Sequence, residues 1–161
     1  MLSLLFRQKI DTDINFPNQL YDETGFYPAF IKDLNDCLFE AVIESPFITH
    51  KRLYTLMPIL EKLKKRGVRV LINTRDPLEQ NNNYMSSEAA EAISNLQHSG
   101  IQVIFTEGHH RKLAILDRSI LWEGSLNILS QNNSCEVMRR IDCAQLAWQM
   151  ARFIRLDRFL T

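Results

Sequence analysis

The chain has 161 residues, 45% of them hydrophobic and 24% charged, with only five glycines and five prolines. This composition excludes disordered, collagen-like and low-complexity chains, and the length suffices for one domain with a full core. Nineteen lysines and arginines balance nineteen aspartates and glutamates, so an anionic ligand has to be held by a local arrangement of charge and not by the field of the whole molecule.

Cys37, Cys135 and Cys143 are too few and too irregularly spaced for a disulfide framework or a zinc site, and a free-thiol cytoplasmic protein without metal or other cofactor is expected. The apolar run 1–6 falls short of the roughly 7–15 residues of a signal-peptide core, and no other uncharged stretch approaches the ~18–20 residues needed to cross a bilayer. A soluble, unexported protein follows as the expectation. Residues 7–24 are polar and show no clear period, which predicts an irregular arm or a short added strand. Residues 1–25 are therefore an N-terminal arm of a single domain spanning 1–161.

From there, Phe30, Ile31, Leu34, Cys37 and Leu38 recur at helical spacing, with Pro28 in the first turn. Residues 41–49 predict a strand that ends or bends near Pro46, because proline cannot donate to a ladder. Leu53, Leu56, Met57, Leu60 and Leu63 mark a helix that stops at Lys64-Lys65-Arg66-Gly67, where cations and a glycine suit a C-terminus. Pro58 inside that pattern predicts a kink or a ragged first half. Residues 68–74 predict a strand. A polar loop, 76–83, then precedes a helix with Ala89, Ala92, Ile93 and Leu96 on one face and Gly100 at its close.

Residues 101–106 predict a further strand. Alternation of helices and strands up to this point implies crossover units, right-handed by rule, and an α/β fold with a mostly parallel mixed sheet covered by helices on both faces. Residues 113–116 and 119–122 form a tight hairpin about Asp117-Arg118. The last helix begins near Asp142, with Cys143, Leu146, Ala147, Met150 and Ile154 at helical spacing.

The chemistry concentrates in Gly108-His109-His110-Arg111-Lys112-Leu113-Ala114-Ile115-Leu116-Asp117 and, seven residues on, Gly124-Ser125-Leu126-Asn127. In an extended chain alternate side chains share a face, so His110 and Lys112 point the same way, as do Ser125 and Asn127 if that stretch stays extended. An imidazole, an ammonium, a hydroxyl and an amide that converge on one oxyanion suit a phosphoryl group: the ring nitrogen attacks, and fixed donors stabilise charge on the non-bridging oxygens. Gly124 lets backbone come close to such a group. Taken singly, each of these residues is ordinary loop, turn or surface material. Their joint order is what carries the reading.

The segment resembles the HKD motif of the phospholipase D superfamily, His-x-Lys-x4-Asp followed by Gly-Ser-x-Asn, complete here as His110, Lys112, Asp117, Gly124, Ser125 and Asn127. The resemblance covers roughly residues 29–160, including the stretches SPFIT and RGVRVLINTR, and it implies a phospholipase D-like fold. It further implies a metal-independent, two-step phosphodiester transfer through a phosphohistidine. His110 takes the nucleophile or acid position, Lys112 and Asn127 bind phosphate oxygens with help from Ser125, and Asp117 is mainly structural. Glu136 falls where small nucleases of the family place an acid that orients the histidine; such a carboxylate would fix the ring tautomer and stabilise the imidazolium. A plain surface acid is the competing reading of Glu136.

That reaction needs two histidines. His109 faces away from His110 in extended geometry, and His50 and His98 lie outside the motif. Single-motif members resolve this as homodimers that bring two copies of the histidine to one interface. Between residues 51 and 75 the chain offers Lys51, Arg52, Lys62, Lys64, Lys65, Arg66, Arg69 and Arg75 against Glu61 alone, a set able to supply sequence-independent affinity for nucleic acid, with DNA the expected partner. Size and the stretches LWEGSLNILSQ and EVMRR resemble nuclease modules that accompany helicases or restriction-type systems, so a helicase or ATPase partner is implied. A lipid phosphodiesterase and a catalytically silent nucleic-acid-binding or dimerisation module are the alternatives; no membrane-docking stretch favours the first. The loop 76–85 is either a groove wall or a surface loop.

Overall fold

The computed structural model describes residues 18–80, 82–130 and 133–159. In chain order these form β1 (Asn18–Asp22), α1 (Phe26–Asp36), β2 (Glu40–Glu44), α2 (His50–Lys65), β3 (Arg69–Thr74), a 3-10 turn (Pro77–Glu79), α3 (Asn83–His98), β4 (Gln102–Phe105), β5 (Leu113–Leu116), β6 (Ile120–Gly124), β7 (Val137–Asp142), α4 (Ala144–Phe153) and a last 3-10 turn (Asp157–Phe159). The strands make one seven-stranded sheet in the order β1-β7-β6-β5-β2-β3-β4.

Alternation along each strand decides which layer a side chain joins. Ala41, Ile43, Val70, Ile72, Ala114, Leu116, Trp122 and Met138 face the larger core, closed by Phe26, Phe30 and Leu34 of α1, Leu53, Leu56, Leu60 and Leu63 of α2, and Ala92, Ile93 and Leu96 of α3. Val42, Leu71, Leu113, Ile115, Leu121 and Ile141 face the smaller core under Ala147 and Ala151 of α4. Helices therefore cover both faces, as expected. Each fully buried leucine contributes about 1.5–3 kcal/mol. Trp122 is buried against Phe26, with ring centroids 5.2 Å apart, and its indole donates to Asp33 at 2.8 Å. Arg140 of β7 grips the same carboxylate at 2.7 and 3.1 Å, which ties α1 to the sheet.

The sheet is mixed, but the balance differs from expectation: parallel pairing is confined to β2-β3 and β3-β4, and the other four pairings are antiparallel. The crossover argument holds for the β2-α2-β3-α3-β4 run. It carries no information about strands joined by hairpins or arriving from the chain ends. The sequence gives no clear strand signal at β7, because Met138-Arg139-Arg140-Ile141 breaks clean alternation. Of the expected arm, residues 18–22 are an added strand beside β7, and residues 1–17 lie outside the described residues.

Leu38 and Leu146, placed by spacing on buried faces, are exposed; α1 stops at Asp36 before Leu38 can join its stripe. α2 runs unbroken from His50 through Pro58. Pro58 is exposed, so the carbonyl that loses its intrahelical donor faces water and the helix continues. The start of α2 has no side-chain cap of its own, and Glu88 of α3 accepts from His50 N at 2.8 Å. α2 and α3 end alike, with Gly67 and Gly100 at φ 82° and 75° and a following amide bonded back to Leu63 O and Leu96 O at 3.0 and 3.1 Å.

The hairpin turn at Asp117-Arg118 is as expected, and both residues are left-handed, at φ 50° and 54°, the geometry of a two-residue turn matched to strand twist. At the other end of β6, Gly124 is set by close approach. A Cβ there would meet Val137 O and sit 2.7 Å from Met138 Sδ and 2.9 Å from Met138 Cα. Gly124→Ala is expected to push β7 from β6 and cost about 1–3 kcal/mol, seen as a lower urea midpoint at unchanged slope.

Candidate active site

The carboxyl ends of β2 and β3, the entry to β5, the exit of β6 and the entry to β7 all fall on one edge of the sheet, as the pairing directions require. Ligands of open α/β sheets gather at such an edge. His110 and Lys112 sit in the extended lead into β5, fixed there by a bond from Gly124 N to Lys112 O at 3.2 Å. The two side chains meet as alternation predicts: Lys112 Nζ is 2.9 Å from His110 Nδ1 and 3.2 Å from Nε2, and donates to His110 O at 2.9 Å. His110 is exposed. Partial burial holds the Lys112 pKa below its ordinary value; Glu136 opposes that shift and Arg75 adds to it.

Ser125 leaves the end of β6 bonded to the entry of β7. Its N donates to Val137 O at 2.9 Å and its hydroxyl accepts from Val137 N at 3.1 Å. The same hydroxyl donates to Glu136, whose other oxygen takes Ser134 Oγ at 2.5 Å. Those hydroxyls of Ser125 and Ser134, with Lys112 helping against a small desolvation effect, hold the Glu136 carboxyl below the usual range. Glu136 is thus an ionised neighbour of Lys112 and Ser125. It makes no hydrogen bond to His110, so the expected tautomer-fixing contact is not formed here; the two serines occupy its oxygens instead.

Asn127 follows the buried Leu126 and presents its amide to a cavity of about 90 Å³ shared with Tyr27, Arg52 and Glu136. Asn127 Oδ1 and Arg52 Nε are both buried there without a protein partner. The Arg52 guanidinium lies 3.4 Å over the Tyr27 ring. Lys112 and Gly124 border a second, larger groove of about 430 Å³ floored by Leu20, Val137 and Phe153.

Asp117 is not in this site. It stands five residues beyond Lys112, about 16 Å along a strand, at the opposite edge of the sheet. Its carboxylate accepts from Leu38 N and Phe39 N at 2.7 Å each, Glu40 N at 3.0 Å and Cys37 Sγ at 3.1 Å. Burial works to raise its pKa, and these bonds together outweigh it, so the group titrates below its ordinary value. It ties the β5-β6 turn to the backbone at the start of β2. Gly124 is packed closely against β7. The basic set is also divided. α2 is about 24 Å long, and Arg66 and Arg69 sit at its far end, bonded to Asn35 O and to Glu40. Lys51, Arg52 and Arg75 are at the site edge.

His109 is buried, its Nε2 3.2 Å from Asn73 O, and burial lowers its pKa. His50 pairs with Glu91 at 3.3 Å, and His98 bonds within α3 to Ser94 O at 2.7 Å. Neither reaches the site. Within the loop 76–85, Glu79 accepts from Gly108 N at 3.0 Å, so the part around the 3-10 turn is a wall fastened to the histidine loop; Asn81 lies outside the described residues. Sequence reading missed Arg52 as a separate element of the site, and it missed Ser134 and Glu44. Glu44, a charge ending an apolar run, was the available signal for a buried pair.

A mixed sheet between helical layers, with a histidine and a lysine converging at its strand ends beside a serine–glutamate pair, defines a candidate phosphoryl-transfer fold. Residues 30–156 match the family model described as "Cardiolipin synthase, PLD-like domain", and the chain belongs to this PLD-like family of the phospholipase D superfamily. Solved structures agree on the fold. NucT from Helicobacter pylori superposes with TM-score 0.68 at 19% identity, over 86% of this chain and 92% of that one. The phospholipase D family member Nuc from Salmonella typhimurium gives 0.68 at 21%, over 88% and 93%. A polyphosphate kinase from Porphyromonas gingivalis gives 0.67 at 12%, over 86% and 25%. Curated protein sequences yielded no match. Among the described residues, no helix is long and apolar enough to cross a membrane.

Asp117→Asn is expected to lower stability by about 1–3 kcal/mol, because amides of residues 38–40 lose a charged acceptor. Turnover measured where the variant is folded should stay within about twofold of wild type; a collapse of turnover in folded protein would return Asp117 to the chemistry.

Proposed function

We propose that this chain is a phosphodiesterase that cleaves DNA through a phosphohistidine, working as a homodimer without metal. The observation that carries the reading is the contact of Lys112 Nζ with the exposed His110 ring at 2.9 Å, which puts a cation where an entering phosphate would meet the nucleophile. Membership of the PLD-like family supports the phosphodiester class, and the fold shared with the family member Nuc over 93% of that chain supports a compact form.

A ring nitrogen of His110 forms a bond to phosphorus while the ester P–O bond breaks, and the leaving oxygen takes a proton from the partner's His110. Water then attacks the phosphohistidine, its proton passing to that second imidazole, and the N–P bond breaks. Lys112 and Asn127 stabilise the charge gathered on the non-bridging oxygens. Glu136, bonded to Ser125, sets the Lys112 ammonium against the site. His109, buried and bonded to Asn73 O, is unsuited to be the second histidine. The exposed Leu20, Val137 and Phe153 beside Lys112 and Gly124 offer apolar surface that a second copy would cover. A helicase or ATPase partner would direct such an activity. The family model's description names a cardiolipin synthase, so a lipid diester is the reading to test against.

The test incubates the protein with plasmid, linear duplex, single-stranded DNA, RNA and phosphatidylglycerol vesicles, with and without EDTA. DNA cleavage that persists in EDTA is expected. Loss of cleavage on chelation would point to metal-bound water as nucleophile, and hydrolysis of the vesicles alone would assign the lipid. His110→Ala is expected to lower the rate by at least about 10³-fold with dimerisation retained in sedimentation. Dimers mixed from wild-type and His110→Ala subunits should keep only a small residual rate; undiminished mixed dimers would mean that each subunit acts alone.

A further inference from the structure

Arg111 stands between the two residues on which the proposed chemistry depends, and alternation turns it to the other face of the chain. There its guanidinium makes a two-pronged contact with Glu44, Nε to Oε2 at 2.5 Å and Nη2 to Oε1 at 3.0 Å. Glu44, the last residue of β2, is fully buried. Its Oε1 also takes Asn73 Nδ2 at 2.7 Å, and Asn73 Oδ1 takes Thr106 Oγ1 at 3.0 Å. One carboxylate therefore joins the ends of β2 and β3, the exit of β4 and the entry to β5. On the other side of His110, the chain is held again: Arg75 Nη2 donates to His109 O at 2.9 Å, and the His109 ring is buried against Asn73 O.

A buried carboxylate is costly unless paired and hydrogen-bonded. This one is both, and the cation that neutralises it is the residue between His110 and Lys112. Glu44 pairs with Leu113 across β2 and β5, which puts Arg111 two positions on, its same-face diagonal neighbour. Were Arg111 released, the lead into β5 would keep only its backbone bonds at Lys112 and His109, and His110 and Lys112 would hold their common direction less firmly. The fork geometry is specific to arginine; a lysine would keep the charge and contact one oxygen.

We propose that Glu44 and Arg111 are positioning residues, a buried clamp that aims His110 and Lys112 at one phosphate. The inference rests on the phosphodiesterase reading for its kinetic consequence and on geometry for the rest. The test compares wild type with Arg111→Lys, which keeps the ion pair, and with the uncharged pair Glu44→Gln/Arg111→Gln, which leaves no buried charge. Folding is checked by circular dichroism at the assay temperature. On the diester that wild type turns over, kcat should fall about ten- to a hundredfold with KM within about twofold. In NMR spectra, the nuclear Overhauser contact between His110 ring protons and Lys112 side-chain protons should weaken in both variants. A kcat unchanged within twofold in folded Arg111→Lys, or a fully retained contact, overturns the clamp. If wild type turns over none of the diesters, the phosphodiesterase reading fails, and the proton contact alone decides the clamp.

Discussion

The structure depends on how β5 is held against β2. Their pairing is antiparallel and only four residues long, and a slip of one residue would exchange every side chain between the two cores. Acids prevent this at both ends. At the start of β2, Glu40 is nearly fully buried and receives Arg118, just past β5, at 2.6 Å, while Asp117 gathers the amides of residues 38–40. At the end of β2, Glu44 receives Arg111, just ahead of β5. A strand too short to specify its own register is thus fixed by charge at each end, and the histidine and lysine inherit their direction from it.

This division of labour accounts for how much the sequence disclosed. The HKD pattern was legible because its spacing is a backbone property: two residues apart in an extended lead means one face, and His110 and Lys112 do meet. Periodicity located α2, α3 and the β5-β6 hairpin for the same reason. The proportion of antiparallel strands was not legible, since β1 and β7 join the sheet from distant points in the chain and neither alternates cleanly. Nor was the grouping of the cations. Residues close in sequence, such as Arg52 and Arg66, stand at opposite ends of a helix, and only tertiary structure shows that one lies beside Asn127 while the other bonds carbonyls at the far edge.

Glu136 illustrates a subtler limit. Its position in the motif pointed to a partner for the histidine, and the fold does bring it to the site. Two hydroxyls, from Ser125 and Ser134, hold its oxygens instead. The carboxylate acts on Lys112 through space, and it supports the lysine's charge where burial and Arg75 weaken it. Spacing can place a residue at an edge. Which neighbour it then chooses depends on competing donors a few residues away.

The crowding at Gly124 has a wider consequence. Of the letters that make up the motif, this glycine is demanded by a neighbouring strand and Asp117 fastens a turn on the opposite edge. A paralogue stripped of its imidazole would still lose stability on losing either. Partial matches to the pattern can therefore carry two kinds of memory, one architectural and one chemical.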